Sequence, residues 1–260
     1  MVYAIWLAGL ALLFVVLERL WPRRPTPLLR RGIFSDLAYI VLNSEYIAIL
    51  IGVAAPTIIN WLGLRRFELS LISTQSFWTQ FVLLLLVMDF AKWCVHNLLH
   101  RVPWLWEFHK VHHSIVDLDW IGNWRFHWME TIVYRSLLYF PAALCGFRSE
   151  VFFWVGVLDT LVGHFAHANL KWRIGGLKYV VNSPEMHIWH HNHPDSGPVN
   201  RNFALTLSIW DWLFGTAHVP VRDPKRLGFT GIENYPAHLP GQWLAPFNAL
   251  ARGKVGEAGR

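Results

Sequence analysis

The chain has 260 residues, of which 54% are hydrophobic and only 15% charged, against about 25% charged in a soluble domain, so composition excludes an ordinary soluble protein and points to a membrane. The net charge of +6 comes from basic residues that are scattered or flank apolar runs, which suits anionic lipid headgroups and argues against nucleic-acid binding. Cys94 and Cys145 are the only cysteines and form no C-x-x-C pair, which excludes a disulfide framework and a thiolate metal site.

Met1 to Leu17 is apolar but has neither a basic start nor a small-residue cleavage site, so it reads as a retained first span, Tyr3 to Leu20. The following stretch, Pro22 to Arg31, is rich in arginine and proline and is placed in the cytoplasm by the positive-inside rule. Tyr46 to Leu64, interrupted by Pro56 and Asn60, is expected to return the chain outward, and Phe77 to Val95 to bring it back. Many of the 16 tryptophans, such as Trp21, Trp61 and Trp78, stand at the ends of these runs, as an interfacial belt requires.

Arg101 to Glu130 is too polar to span and too aromatic for a free loop, so it predicts a half-buried interfacial helix. Thr131 to Phe147 and Glu150 to Ala166 predict a helical hairpin broken at Gly146-Phe147-Arg148-Ser149. From Lys171 the chain predicts a cytoplasmic cap rich in Gly, Pro and His, with Arg252 to Arg260 as a frayed tail.

One five-residue pattern occurs twice, as His109-Lys110-Val111-His112-His113 and His187-Ile188-Trp189-His190-His191. On a helix the offsets 0, 3 and 4 share a face, so each copy predicts two or three nitrogens aimed at metal in one direction. His96 with His100 and His164 with His167 add chelating pairs, and the spans place all of these, with His127, on one side of the membrane. The paired and triple clusters supply ten imidazoles, more than one metal holds, so two metals are expected. His193, His218 and His238 lie outside the pattern. Imidazole suits zinc, copper, iron and nickel alike, so ligand type leaves the metal open. Two other classes fit membrane histidines: haem-type electron transfer, which wants single histidines on two helices within the bilayer, and metal binding or transport, which wants ligands near the midplane.

Asp89 followed by His96 and His100, then His109-x-x-His112-His113, then His187-x-x-His190-His191 and the closing run Asn202-Phe203 to Trp210-Asp211-x-x-Phe214-Gly215-Thr216 resembles the fatty acid hydroxylase and sterol desaturase superfamily. The resemblance covers Asp89 to Thr216, and Phe165-x-His167-Ala168-Asn169 and Ser183-Pro184-Glu185 resemble its bacterial members. It implies an all-α integral membrane protein with about four to five transmembrane helices under a cytoplasmic histidine-rich cap. The expected organisation is one unit over residues 1–260: spans in 1–88, the histidine region in 89–216, and the C-terminal cap and tail in 217–260.

The implied activity is a di-iron oxidoreductase of a bacterial inner membrane, which uses O2 to hydroxylate or desaturate a fatty acyl, sterol or ether lipid. Zinc is an expected substitute for iron. Electrons would come from NAD(P)H through a separate carrier, a ferredoxin or a cytochrome b5-like protein. The implied ligands are His96, His100, His109, His112, His113, His187, His190 and His191, joined by His164 and His167. Asp89, one heptad before His96, could accept the second N–H of a ligating ring, and His127 and Asn169 are further candidates for the catalytic site. Glu130, Glu185 and Asp211 could hold ligands in the same way. Lys110, Arg125, Lys171, Arg173 and Lys178 could dock an acidic electron donor or bind lipid phosphates.

Overall fold

The computed structural model describes residues 2–27, 29–30, 32–46, 57–58, 60–63 and 70–253. The expected span Tyr46 to Leu64 therefore lies largely outside the described residues, as does the tail beyond residue 253. The described residues form helices and loops, with only isolated bridges at Pro22↔Leu170 and Asn192↔Leu227. Helices α1 (Val2–Leu20), α2 (Ile33–Ile40), α3 (Phe77–Arg101), α4 (Pro103–His113), α5 (Trp128–Leu144) and α6 (Ser149–His167) are followed by α7 (Pro184–His190), α8 (Ile209–Leu213) and α9 (Leu239–Ala251).

Helix α3 is, among the described residues, the one helix both long and apolar enough to cross a membrane, and a shorter apolar helix covers Ile33–Asn43. Ser76 caps α3, its side chain accepting from Thr79 N at 3.2 Å, which satisfies an amide that the first turn leaves free. The outward faces of α1 and α3 are apolar: Leu12 is 67% exposed, Trp78 71% and Val87 61%. A face of that kind is stable against lipid and costly against water.

Two prolines place the histidine helices. Val102, extended at φ −94 and ψ 114, precedes Pro103, the first residue of α4, because the proline ring disfavours a helical conformation in the residue before it. The chain therefore breaks after His100 and folds α4 back against α3. Ser183 and Pro184 repeat the device at the start of α7. The expected interfacial helix over Arg101 to Glu130 is corrected on two counts. It is α4 plus a 3-10 turn, Trp120–Trp124, and most of it is buried, because it forms the wall around the histidines. The expected hairpin is present as α5 and α6, with its turn at Gly146, whose φ of 80 is open to glycine. Lys92 of α3 pairs with Asp159 of α6, and Gln80 accepts from Arg148 N at 3.0 Å, so polar contacts fix the apolar packing of these two helices.

Candidate metal centre

Nine of the ten expected ligands fall into two groups: His96, His100, His109, His113 and His190 in one, and His112, His167, His187 and His191 in the other. Within each group the ligand atoms lie within 4.8 Å of one another, and all nine residues are buried. Each H-x-x-H-H copy is split between the groups, which corrects the expectation that a copy points one way. His109 and His113 go with the five, His112 with the four; His190 goes with the five, His187 and His191 with the four.

The protonation pattern tests whether a cation fits. His96 Nδ1 donates to Phe203 O at 2.7 Å and His109 Nδ1 donates to Glu130 Oε1 at 2.9 Å. Both protons are thereby placed on Nδ1, so the two Nε2 atoms, 3.1 Å apart, face each other with lone pairs. The second group repeats this: His112 Nδ1 donates to Arg125 O and His167 Nδ1 to Gly163 O, and their Nε2 atoms stand 3.2 Å apart. Facing lone pairs repel unless a cation sits between them. Metal–imidazole bonds of about 2.1 Å at right angles put neighbouring nitrogens about 3 Å apart, which matches these contacts and those of His100 with His113 and of His187 with His191, both 3.1 Å. The residues fit two metal ions.

Burial favours the neutral ring needed for ligation. It holds the imidazoles of His109, His112, His113, His187, His190 and His191 well below the ordinary range, with neighbouring rings adding to the effect in each case. Beside both groups lies a cavity of about 200 Å³, reached by His96, His109, His112, His167 and His187 and bordered by Phe126, Glu130, Lys92 and Asp159. On the far side of the five-histidine group a smaller hollow is lined by His100, His113 and His190 with Trp106 and Asn200.

The structure sets the remaining expected residues apart from the clustered rings. His164 packs its ring against Phe14, Trp120 and Trp124, and its Nδ1 accepts from Asn123. Asp89 accepts from Thr206 N, Leu207 N and Trp210 Nε1, so its carboxylate shapes a loop and does not take a ligand's N–H. His127 donates to Trp243 O and accepts from Met129 N. Asn169 ties the Arg24–Thr26 segment to the end of α6. Glu185 accepts from Ile174 N, and Asp211 from Phe203 N and Ala204 N. Among the candidates to hold a ring, Glu130 alone does so within the described residues. Arg125 is buried against Asp36 at 3.2 Å, which removes it from any docking surface.

Most acceptors that orient the rings are backbone carbonyls, which leave no mark on a sequence. Asn200 does leave one. Its φ of 58 is left-handed, a conformation that asparagine tolerates, and it brings Oδ1 to within 3.3 Å of His100 Nδ1.

Comparison with known proteins agrees with this arrangement. The fatty acid hydroxylase family model matches residues 81–216. The chain is 32% identical to the ornithine lipid hydroxylase OlsE of Rhizobium tropici, over 87% of this chain and 70% of that protein. It is 28% identical to alkylglycerol monooxygenase of Xenopus tropicalis over 78% of this chain and 42% of the relative, and 24% identical to methylsterol monooxygenase 1-3 of Arabidopsis thaliana over 61% and 54%. No solved structure matches. With every histidine of both groups inside the matched segment, the chain belongs to the fatty acid hydroxylase family.

Proposed function

We propose that the protein is an integral-membrane lipid hydroxylase that holds two iron ions in the five- and four-histidine groups and inserts an oxygen atom from O2 into a lipid C–H bond. The observation that carries it is the pair of imidazole groups with facing lone pairs, opening on one largely apolar cavity. The names of the relatives, hydroxylases and monooxygenases of ornithine lipid, alkylglycerol and methylsterol, support oxidation of a lipid. Haem ligation and transport have less support, because nine converging rings exceed what a haem or a transient cargo site uses.

Bound iron would supply the O2 activation that an unactivated C–H bond requires. The reaction balances as one C–H bond, one O2, two electrons and two protons giving one C–OH and one water, with the electrons drawn from NAD(P)H through a separate ferredoxin or cytochrome b5-like carrier. The chain's own part is positional. Phe203 O, Arg201 O, Gly163 O and Glu130 orient the rings, and the aromatic and aliphatic wall of the cavity excludes water from the reacting carbon. The exposed apolar faces of α1 and α3 support a bilayer setting for this site, and the proposed topology has four to five spans, an inner-membrane location and the histidines on the cytoplasmic side. Lys110, Lys171, Arg173 and Lys178 remain as candidates to meet lipid phosphate or the electron donor.

The test compares lipid extracts of a bacterial host with and without the gene, grown with and without O2. A lipid heavier by one oxygen, formed only with the gene and O2, is expected. A verified two-metal protein that leaves every lipid class unchanged would overturn the proposal.

A further inference from the structure

The two histidine groups differ in more than ligand number. In the five-histidine group four rings have an Nδ1 partner: His96 on Phe203 O at 2.7 Å, His109 on Glu130 at 2.9 Å, His190 on Arg201 O at 2.9 Å and His100 on Asn200 at 3.3 Å. One of these partners is a carboxylate whose other oxygen is buried and has no hydrogen-bond partner. In the four-histidine group only His167, on Gly163 O at 2.8 Å, and His112, on Arg125 O at 3.3 Å, are held in this way. The Nδ1 atoms of His187 and His191 are buried without a hydrogen-bond partner, while their Nε2 atoms face each other at 3.1 Å.

We propose that the two metal positions are unequal by construction: the five-histidine group is the tight position, and the group of His112, His167, His187 and His191 is the exchangeable one. This rests on the two-metal reading above. An acceptor on Nδ1–H fixes the orientation of a ligating ring and raises its basicity, and loss of such a partner typically lowers metal affinity 10–100-fold. Glu130 is, among the described residues, the one carboxyl group that holds a clustered ring, and it serves His109 on the five-histidine side. His187 and His191 must ligate with their outer N–H groups unpaired, so each is a weaker and less constrained donor. The cavity is reached by both groups, through His112, His167 and His187 of this one and through His96 and His109 of the other, so the inequality rests on the ring partners and the number of donors.

The experiment loads the full chain, purified in detergent, with Co2+ and equilibrates it against chelators of rising strength, following bound metal by elemental analysis and Co2+ absorption. Two steps are expected, separated by at least about ten-fold in free metal, with a plateau at one metal per chain. His191→Ala should abolish the weaker step and leave the plateau. Glu130→Gln, which keeps the side-chain shape and so guards against a variant that fails to fold, should weaken the tighter step by roughly ten-fold and draw the two together. Loss of both metals in a single step, or a Glu130→Gln protein whose weaker step alone moves, overturns the inequality. Fewer than two metals bound at saturation would overturn the two-metal reading itself, a distinguishable result.

Discussion

His112 and His113 are neighbours in the chain, yet their rings stand at 83° to each other and serve different metal groups. About 100° of helical rotation separates adjacent side chains, so one turn of α4 reaches both positions and α7 does the same with His190 and His191. His112→Ala and His190→Ala should therefore each disable one group and reduce turnover at least about a hundred-fold, while the helices, held by packing elsewhere, keep their helical circular dichroism. His164→Ala, His218→Ala and His238→Ala lie outside both groups and should retain both metals. Full metal content and full activity in the His112 and His190 variants would make the constellation a packing device.

Much of this was legible in the sequence because its signals are local. A doubled H-x-x-H-H, the pair His96 and His100, and the apolar run Phe77 to Val95 that leads to them each act within a few residues of one another. The sharing of ligands was not legible. Whether His113 joins His100 or His167 depends on how α4 lies against α3 and α6, and spacing within a helix carries no such information. Asp89 was misread for a related reason. Its heptad relation to His96 is real, but the Thr206 and Leu207 amides take the carboxylate and Phe203 O takes the N–H of His96.

Burial of neutral histidines makes the metal-free protein acid-sensitive. His109, His112, His113, His187, His190 and His191 are held well below their ordinary range by burial, whereas the unfolded chain protonates them near pH 6.5. The unfolded state then binds more protons below that pH, so stability is fully present above about 6.5 and falls with acid, by up to about 1.4 kcal/mol per pH unit for each ring. The thermal midpoint of apoprotein should stay level down to about pH 6.5 and drop steeply below it, and the metal-loaded protein should release metal over the same acid range. A flat midpoint would contradict the burial.

Asp211 accepts from Phe203 N and Ala204 N at 2.9 Å, from Trp93 Nε1 at 3.0 Å and from Thr216 Oγ1 at 2.6 Å. Phe203 O in turn orients His96. Asp211→Asn replaces one acceptor oxygen by a donor, leaving buried N–H groups unpaired at a cost of about 2–3 kcal/mol. Both the denaturation midpoint and Co2+ affinity should fall. If stability falls and affinity is untouched, the carboxylate holds the loop without positioning His96.

Gly163 borders the cavity on α6, and a Cβ there would stand 2.6 Å from Asn123 Oδ1. Gly163→Ala must push the Asn123 side chain aside, toward the cavity it also borders, while the Gly163 carbonyl that serves His167 stays in the helix. KM for the lipid should rise several-fold, with metal content and kcat nearly unchanged. Loss of metal instead would show that the glycine supports His167 and leaves substrate space alone.

Topology can be read from two exposed residues on opposite sides of the proposed spans. Trp61, which precedes α3 in the chain, is 83% exposed, and Leu177 is 63% exposed in the segment leading to α7. Helix α3 follows Trp61 in the chain and ends at His96 and His100, and in the proposed topology, with the arginines after α1 in the cytoplasm, position 61 lies outside and position 177 inside. With Cys94 and Cys145 replaced by Ala, cysteines at positions 61 and 177 should react with an impermeant thiol reagent from opposite faces of the membrane, position 61 in intact spheroplasts and position 177 only after inversion of the vesicles. Labelling of both from one face would mean that α3 does not cross. The apolar faces of α1 and α3 would then have to lie in the plane of the interface, and the cavity would open to a single leaflet.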